Sequence, residues 1–126
     1  MATANLSRKN EIGGFDSIII VKDLSDIPGG VTLDVTAVTD TVVKAGHVLV
    51  EKGGVVKPLA ISGGSYAALA SEESYYGILK AAVSTSNPQA AVLRIGTVNA
   101  KAAAANVGAP YTSAITTALK NIDFIY

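Results

Sequence analysis

The chain has 126 residues, and its ten basic and ten acidic side chains give a formal net charge of zero at pH 7. Nucleic acid is therefore not expected as a partner, because phosphate binding needs a basic face and the basic residues here are scattered. Cysteine is absent, which excludes disulfides and thiolate metal sites. Apolar residues make up 49% of the chain and charged residues 16%, so core material is ample, and a surface this poor in charge indicates partial cover by a partner.

The N-terminal region carries no signal for export or membrane insertion. Its first ten residues lack the apolar stretch of a signal peptide, and the apolar run at residues 18–21 is too short to span a bilayer. We therefore expect synthesis in the cytoplasm and no membrane partner. Residues 1–16 are polar, lack helical periodicity and include Gly13 and Gly14, which predicts an N-terminal arm in front of one domain at residues 17–126.

Seven segments have the composition or the alternation of a β-strand. In chain order they are residues 17–22, 31–38, 47–51, 55–59, 75–79, 90–95 and 123–126. The fifth can extend to Val83, and the sixth can continue to Asn99 beyond a bend at Gly96. Helices are predicted at residues 101–105 and from a cap at Thr112 or Ser113 to Asn121.

Glycine and proline mark the turns between these segments. Gly53 and Gly54 stand between two apolar runs and predict a hairpin, and Pro28 with the two glycines after it predicts a turn. Residues 61–74 show no clear pattern. The expected fold class is β-dominated α+β: one compact domain of six to eight short strands, barrel- or tulip-like, with one or two short helices and an extended N-terminal arm.

Few residues in the sequence indicate catalysis or the binding of a metal or cofactor. His47, the only histidine, lies in a predicted strand without a serine nucleophile motif, and the acidic residues are too dispersed to form a metal site. We expect no catalytic residue, no cofactor and no metal, and thus a protein that is not an enzyme. Gly46, Gly77 and Gly96 are expected to be structural, the last two because glycine inside a strand marks a bulge or a close backbone approach.

A series of short motifs follows in order from Ala45 onward. They are Ala45-Gly-His-Val-Leu49, the glycine hairpin, Tyr76-Gly-Ile-Leu79, Ala91-Val-Leu-Arg-Ile-Gly-Thr-Val-Asn99 and Ala114-Ile-Thr-Thr-Ala-Leu-Lys120. In their order and spacing they resemble the lambda-like head decoration proteins of tailed phages, and also the similar module of phage head-fibre proteins. The chain departs from the family at Lys80, near which many relatives place an acidic residue, and its first forty residues resemble the family little.

The resemblance implies a structural virion protein without catalytic residues, made in the host cytoplasm and placed on the capsid exterior. Its partners would be the major capsid protein and two further copies in a homotrimer, with no small-molecule substrate. The family's N-terminal arm reaches onto neighbouring capsid subunits, and residues 1–20 match it as a segment suited to adding a strand to a partner sheet. The candidate capsid-binding residues are Asn5, Leu6, Arg8, Lys9, Ile12, Phe15, Ile18 and Ile20.

Two further readings stay open. A head-fibre base protein would carry the same module as a decoration protein. A small non-viral β-domain, either a biotinyl- or lipoyl-like carrier or a carbohydrate-binding module, is suggested by Lys44-Ala-Gly46 and the hairpin at Gly53 and Gly54; a carrier would use a lysine at the hairpin tip, where Lys52 lies. A biotin carrier flanks its lysine with methionines, whereas the only methionine here is Met1.

Overall fold

The computed structural model describes residues 19–27 and 30–125, and the predicted arm at residues 1–16 lies outside that range. The strands are β1 (Ile20–Asp26), β2 (Val31–Thr32), β3 (Val42–Val43), β4 (Val48–Lys52), β5 (Val55–Pro58), β6 (Ile61–Ser62), β7 (Ser65–Tyr66), β8 (Ser74–Leu79), β9 (Val83–Ser84), β10 (Gln89–Ala90), β11 (Val92–Asn99) and β12 (Ile122–Ile125). The helices are α1 (Ala100–Val107) and α2 (Ser113–Ala118).

One six-stranded sheet organises the domain. Its strand order is β1-β11-β8-β4-β5, with β12 lying parallel to β11 and every other pair antiparallel. The remaining six strands are two residues long and form three small pairs, β2 with β10, β3 with β9 and β6 with β7. The β-dominated α+β class is confirmed. The described residues form twelve strands, more than the six to eight expected, because six of them are pairs of residues too short to be recognised as strands in the sequence. The sheets are not closed, so a complete barrel is not formed.

Both faces of this sheet are covered by apolar side chains. In β4, Val48 and Val50 face a first core that includes Tyr66, Tyr111 and residues of both helices, whereas Leu49 faces a second core around Leu33. Successive residues of a strand point to opposite faces, so a strand buried on both sides must be apolar throughout. This requirement explains the continuous Val-Leu-Val run in β4.

Two tight hairpins carry the same turn chemistry. Gly53 and Gly54 join β4 to β5 with φ values of 59° and 85°, and Gly63 and Gly64 join β6 to β7 with 63° and 76°. Consecutive left-handed residues form the type I′ turn that matches the twist of paired strands. The first hairpin confirms the prediction. The second lies in residues 61–74, where strands of two residues are too short to show an alternating pattern.

The strand predicted at residues 31–38 is wrong beyond Thr32. Asp34 ends it, because its Oδ1 accepts hydrogen bonds from the backbone N–H of Thr36 at 3.1 Å and the Thr36 hydroxyl at 2.8 Å. Such a local side-chain bond competes with strand pairing and turns the chain. Burial follows an alternation only as far as Leu33, which is buried beside the exposed Thr32; beyond it Ala37, on the same predicted face as Leu33, is exposed.

Other boundaries differ by a few residues. β1 runs through a polar stretch to Asp26 instead of ending at Lys22, because β11 pairs with it along that length. β8 ends at Leu79 and does not reach Val83, whereas β11 continues through Gly96 as expected. The hydroxyl of Thr112 caps α2 at the backbone N–H of Ile115, as predicted, but the helix ends at Ala118.

Candidate docking surface

Seven of the eight candidate capsid-binding residues lie outside the described part of the chain. They are Asn5, Leu6, Arg8, Lys9, Ile12, Phe15 and Ile18. The eighth, Ile20, opens β1, pairs with Val98 and is half-buried against the first core. The side chain of Ile20 therefore packs against the core of its own domain, and only part of it is accessible to a capsid.

β1 presents two apolar side chains to solvent next to that position. Its pairing with β11 skips Val21 and Leu24, so these two residues lie at register irregularities. A bulge leaves its extra residue unpaired and re-aims its side chain. Val21 is 53% exposed and Leu24 is 62% exposed. Ile95 of β11, which is opposite Ser25, is also exposed, and we call Val21, Leu24 and Ile95 together the β1 patch.

A lysine next to β8 forms ion pairs with two acidic residues of β1. Lys80, directly after β8, forms ion pairs with Asp23 and with Asp26, the latter at 2.7 Å from Nζ to Oδ2. Hydrogen bonds from the ammonium group to these two carboxylates raise the pKa of Lys80. This is the position near which many members of the resembled family carry an acid. In this chain the positive charge holds the two acidic residues of β1 in place.

The three glycines expected to be structural lie where an added side chain would meet neighbouring atoms. A Cβ atom on Gly96 would collide with the carbonyl oxygen of Lys22 in β1. On Gly77 it would lie 2.7 Å from the carbonyl oxygen of Leu93, and on Gly46 it would lie 2.9 Å from Cβ of Ala103. The close approach predicted at Gly77 and Gly96 is therefore present, and Gly96 permits β1 to pair with β11.

The imidazole of His47 contacts the backbone and an aromatic side chain of its own domain. Its Nε2 lies 2.7 Å from the carbonyl oxygen of Leu59, which can only accept, so Nε2 carries the proton. Burial lowers the pKa of His47, and the hydrogen bond to Leu59 opposes that shift. The imidazole meets the ring of Tyr66 edge-on at 5.5 Å, and Tyr66 stacks on Tyr111, whose hydroxyl donates to the carbonyl of Gly46 at 2.6 Å. The rings of Tyr66 and Tyr111 thus pack in the first core, and His47 contacts it at its edge-on approach to Tyr66.

A cavity of about 470 Å³ opens beside His47. Its walls come from residues 34–44 and 57–61, and Val107 of α1 lies at its edge. Its lining is mixed: Val38, Val42, Leu59 and Ile61 are apolar, whereas Asp34, Asp40, Lys44 and Lys57 are charged. Sequence reasoning could not find this site, because its walls come from segments separated along the chain and no motif links them.

Among the described residues, no three His, Cys, Asp or Glu side chains are grouped closely enough to hold a metal ion. No helix in the described ranges is long and apolar enough to cross a membrane. Comparison with protein families, with curated proteins and with solved structures finds no match to this chain.

Proposed function

We propose that this protein is a structural virion component that docks on the outer surface of a phage capsid and stabilises or decorates the shell. The observation that carries the proposal is the β1 patch: exposed apolar side chains at irregular positions of an edge strand, directly after the segment predicted to be a capsid-binding arm. The motif resemblance from Ala45 onward supports the same function. A head-fibre base protein would dock in the same way.

In this proposal the domain contacts the capsid through the side chains of the β1 patch and not through backbone hydrogen bonds at the edge of β1. Bulges and charged residues protect an edge strand against pairing with another chain, and β1 has both, including Lys22 and Asp23. If a strand of this protein is added to a capsid sheet, we expect it to come from the residues before Ile20. Each apolar side chain of the β1 patch that becomes fully buried would contribute about 1.5–3 kcal/mol, before the costs of association.

The first test introduces a charge into the β1 patch. Purified protein is titrated onto undecorated, expanded capsids, and bound copies are counted after sedimentation. We expect Val21→Asp and Leu24→Asp to weaken binding strongly, because each places a carboxylate in the apolar contact. The matched control is Val55→Asp, since Val55 is 49% exposed on β5 at the other end of the sheet order. Equal binding by all three variants would contradict the proposed surface.

The second test removes residues 1–16. We expect this deletion to abolish capsid binding, while circular dichroism still reports a folded β-rich domain, because the described residues, which begin at Ile19, include two apolar cores. Binding to empty capsids as tight as that of the full chain would show that the arm has no docking role.

A further inference from the structure

The cavity beside His47 has the size and the mixed lining of a small-molecule site. Its volume of about 470 Å³ lies within the usual range for ligand pockets, about 300–1,000 Å³. Two acidic and two basic side chains line it, Asp34, Asp40, Lys44 and Lys57, so its described walls carry no net charge. Aliphatic side chains make up much of the remaining lining. A ligand that complements these walls is neutral overall, has polar groups of both kinds and has an apolar part.

Two of the four charged groups are available to a ligand. Oδ1 of Asp34 already accepts two hydrogen bonds within its own loop, and Nζ of Lys57 lies 2.8 Å from Oε2 of Glu73. Asp40 and Lys44 are exposed, and their side chains form no hydrogen bond or ion pair with another residue in the described part of the chain. A ligand with an ammonium group and a carboxylate pairs with both, and such charge-assisted hydrogen bonds are stronger than those of neutral hydroxyl groups.

The imidazole of His47 adds a hydrogen-bond acceptor to the lining. Because Nε2 donates to the carbonyl oxygen of Leu59, Nδ1 is the unprotonated nitrogen of the neutral ring. Within residues 19–27 and 30–125, no donor is hydrogen-bonded to Nδ1. A half-buried acceptor of this kind is normally satisfied by a ligand or by water. The N–H groups of an amine or a peptide are suitable donors for it.

We propose that this cavity binds a small zwitterion with an aliphatic side chain, that is, an amino acid or a short peptide. The ammonium group of the ligand pairs with Asp40, its carboxylate pairs with Lys44, and its side chain packs against the aliphatic part of the lining. A ligand with only one charge leaves one of these two side chains unpaired. The proposal does not depend on capsid binding, and its test contains no capsid.

The test titrates the full-length chain with ligands and follows its amide chemical shifts by NMR. The probes are leucine, leucyl-glycine and leucyl-glycyl-glycine, which keep one side chain and place the two charges at increasing separations. We expect at least one of them to shift the amides of residues 34–44 and 57–61 in a saturable manner. The N-acetylated and the C-amidated forms of that probe each lack one charge. Each should bind about threefold or more weakly, as expected for the loss of one exposed ion pair.

Two variants assign the charges to side chains. Asp40→Asn should weaken binding of the zwitterion but not of its acetylated form, and Lys44→Gln should weaken binding of the zwitterion but not of its amidated form. The matched control is Lys101→Gln, since Lys101 is exposed on α1 outside the cavity lining. The dispersion of the amide spectrum checks that each variant is folded.

Three results would overturn the proposal. They are the absence of saturable shifts at the cavity amides with every probe, equal binding of the zwitterion and its singly charged forms, and equal binding by Lys44→Gln and Lys101→Gln. Glucose is titrated in the same way and is not expected to bind. Binding of glucose as tight as that of the peptides would show that the cavity recognises hydroxyl groups and would also refute the assignment.

Discussion

The imidazole of His47 couples folding to pH. Because burial lowers its pKa in the folded protein, the unfolded chain, with an ordinary value of about 6.5, binds the proton more readily. Stability is thus present above pH 6.5 and is lost as the pH falls below that value. We expect the free energy of unfolding to decrease between pH 7 and pH 5, and to decrease much less in His47→Gln.

Urea denaturation at several pH values measures this effect, and proton NMR follows the single imidazole directly. The carboxyl groups of Asp34 and Glu73 also have lowered pKa values, but they titrate in a separate window below about pH 4.5. Parallel stability curves for the two proteins between pH 5 and pH 7 would show that His47 has no part in the pH dependence.

Gly77 and Gly96 are positions where a side chain cannot be added without moving the backbone. A Cβ atom at either position meets a carbonyl oxygen of a neighbouring strand, which cannot rotate away as a side chain can. We expect Gly77→Val and Gly96→Val each to destabilise the domain by about 1–3 kcal/mol, the usual range for overpacking. Ser74→Val, at an exposed position of β8, is the control and should change stability little. Unchanged midpoints of denaturation for both glycine variants would refute the close approach.

At the scale of elements, Lys80 determines how firmly β1 is held. Replacing it by Met removes two partly exposed ion pairs, and we expect a loss of about 1 kcal/mol or less in global stability. The local effect should be larger: amide hydrogen exchange should accelerate in β1 and not in β5. Lys80→Glu should accelerate it further, because three carboxylates would then face one another. The control is Lys101→Met, an exposed lysine on α1. Uniform exchange rates across the sheet in Lys80→Met would rule out this role.

At the scale of the whole molecule, the charge balance sets how capsid binding should respond to salt. With a net charge of zero, long-range attraction is weak, and binding should come from apolar and backbone contacts. We expect affinity for undecorated capsids to change little up to 0.5 M salt, where the screening length is about 4 Å. Binding should saturate at a fixed number of copies and increase the heat resistance of the shell. Loss of binding by 0.5 M salt would instead assign the contact to charge pairs.

Features that depend on a few neighbouring residues could be predicted from the sequence. The hairpin at Gly53 and Gly54, the cap at Thr112 and the close approach at Gly77 each depend on neighbouring residues or on the lack of a side chain, so they could be predicted. The β-dominated class followed from composition and alternation in the same way. The docking function proposed from the motifs stays a prediction for the capsid experiments to test.

Tertiary structure alone decided which distant segments meet. Lys80 and Asp26 are 54 residues apart along the chain, and no pattern in either segment indicates their ion pair. The length of β1 depends on β11, the exposure of Val21 and Leu24 depends on a register between the two strands, and the cavity depends on three separate segments. Propensity and turn geometry act over a few residues, whereas register and packing are set by contacts between residues far apart along the chain. For that reason the sequence by itself determined the elements, and only the folded domain determined the surfaces they present.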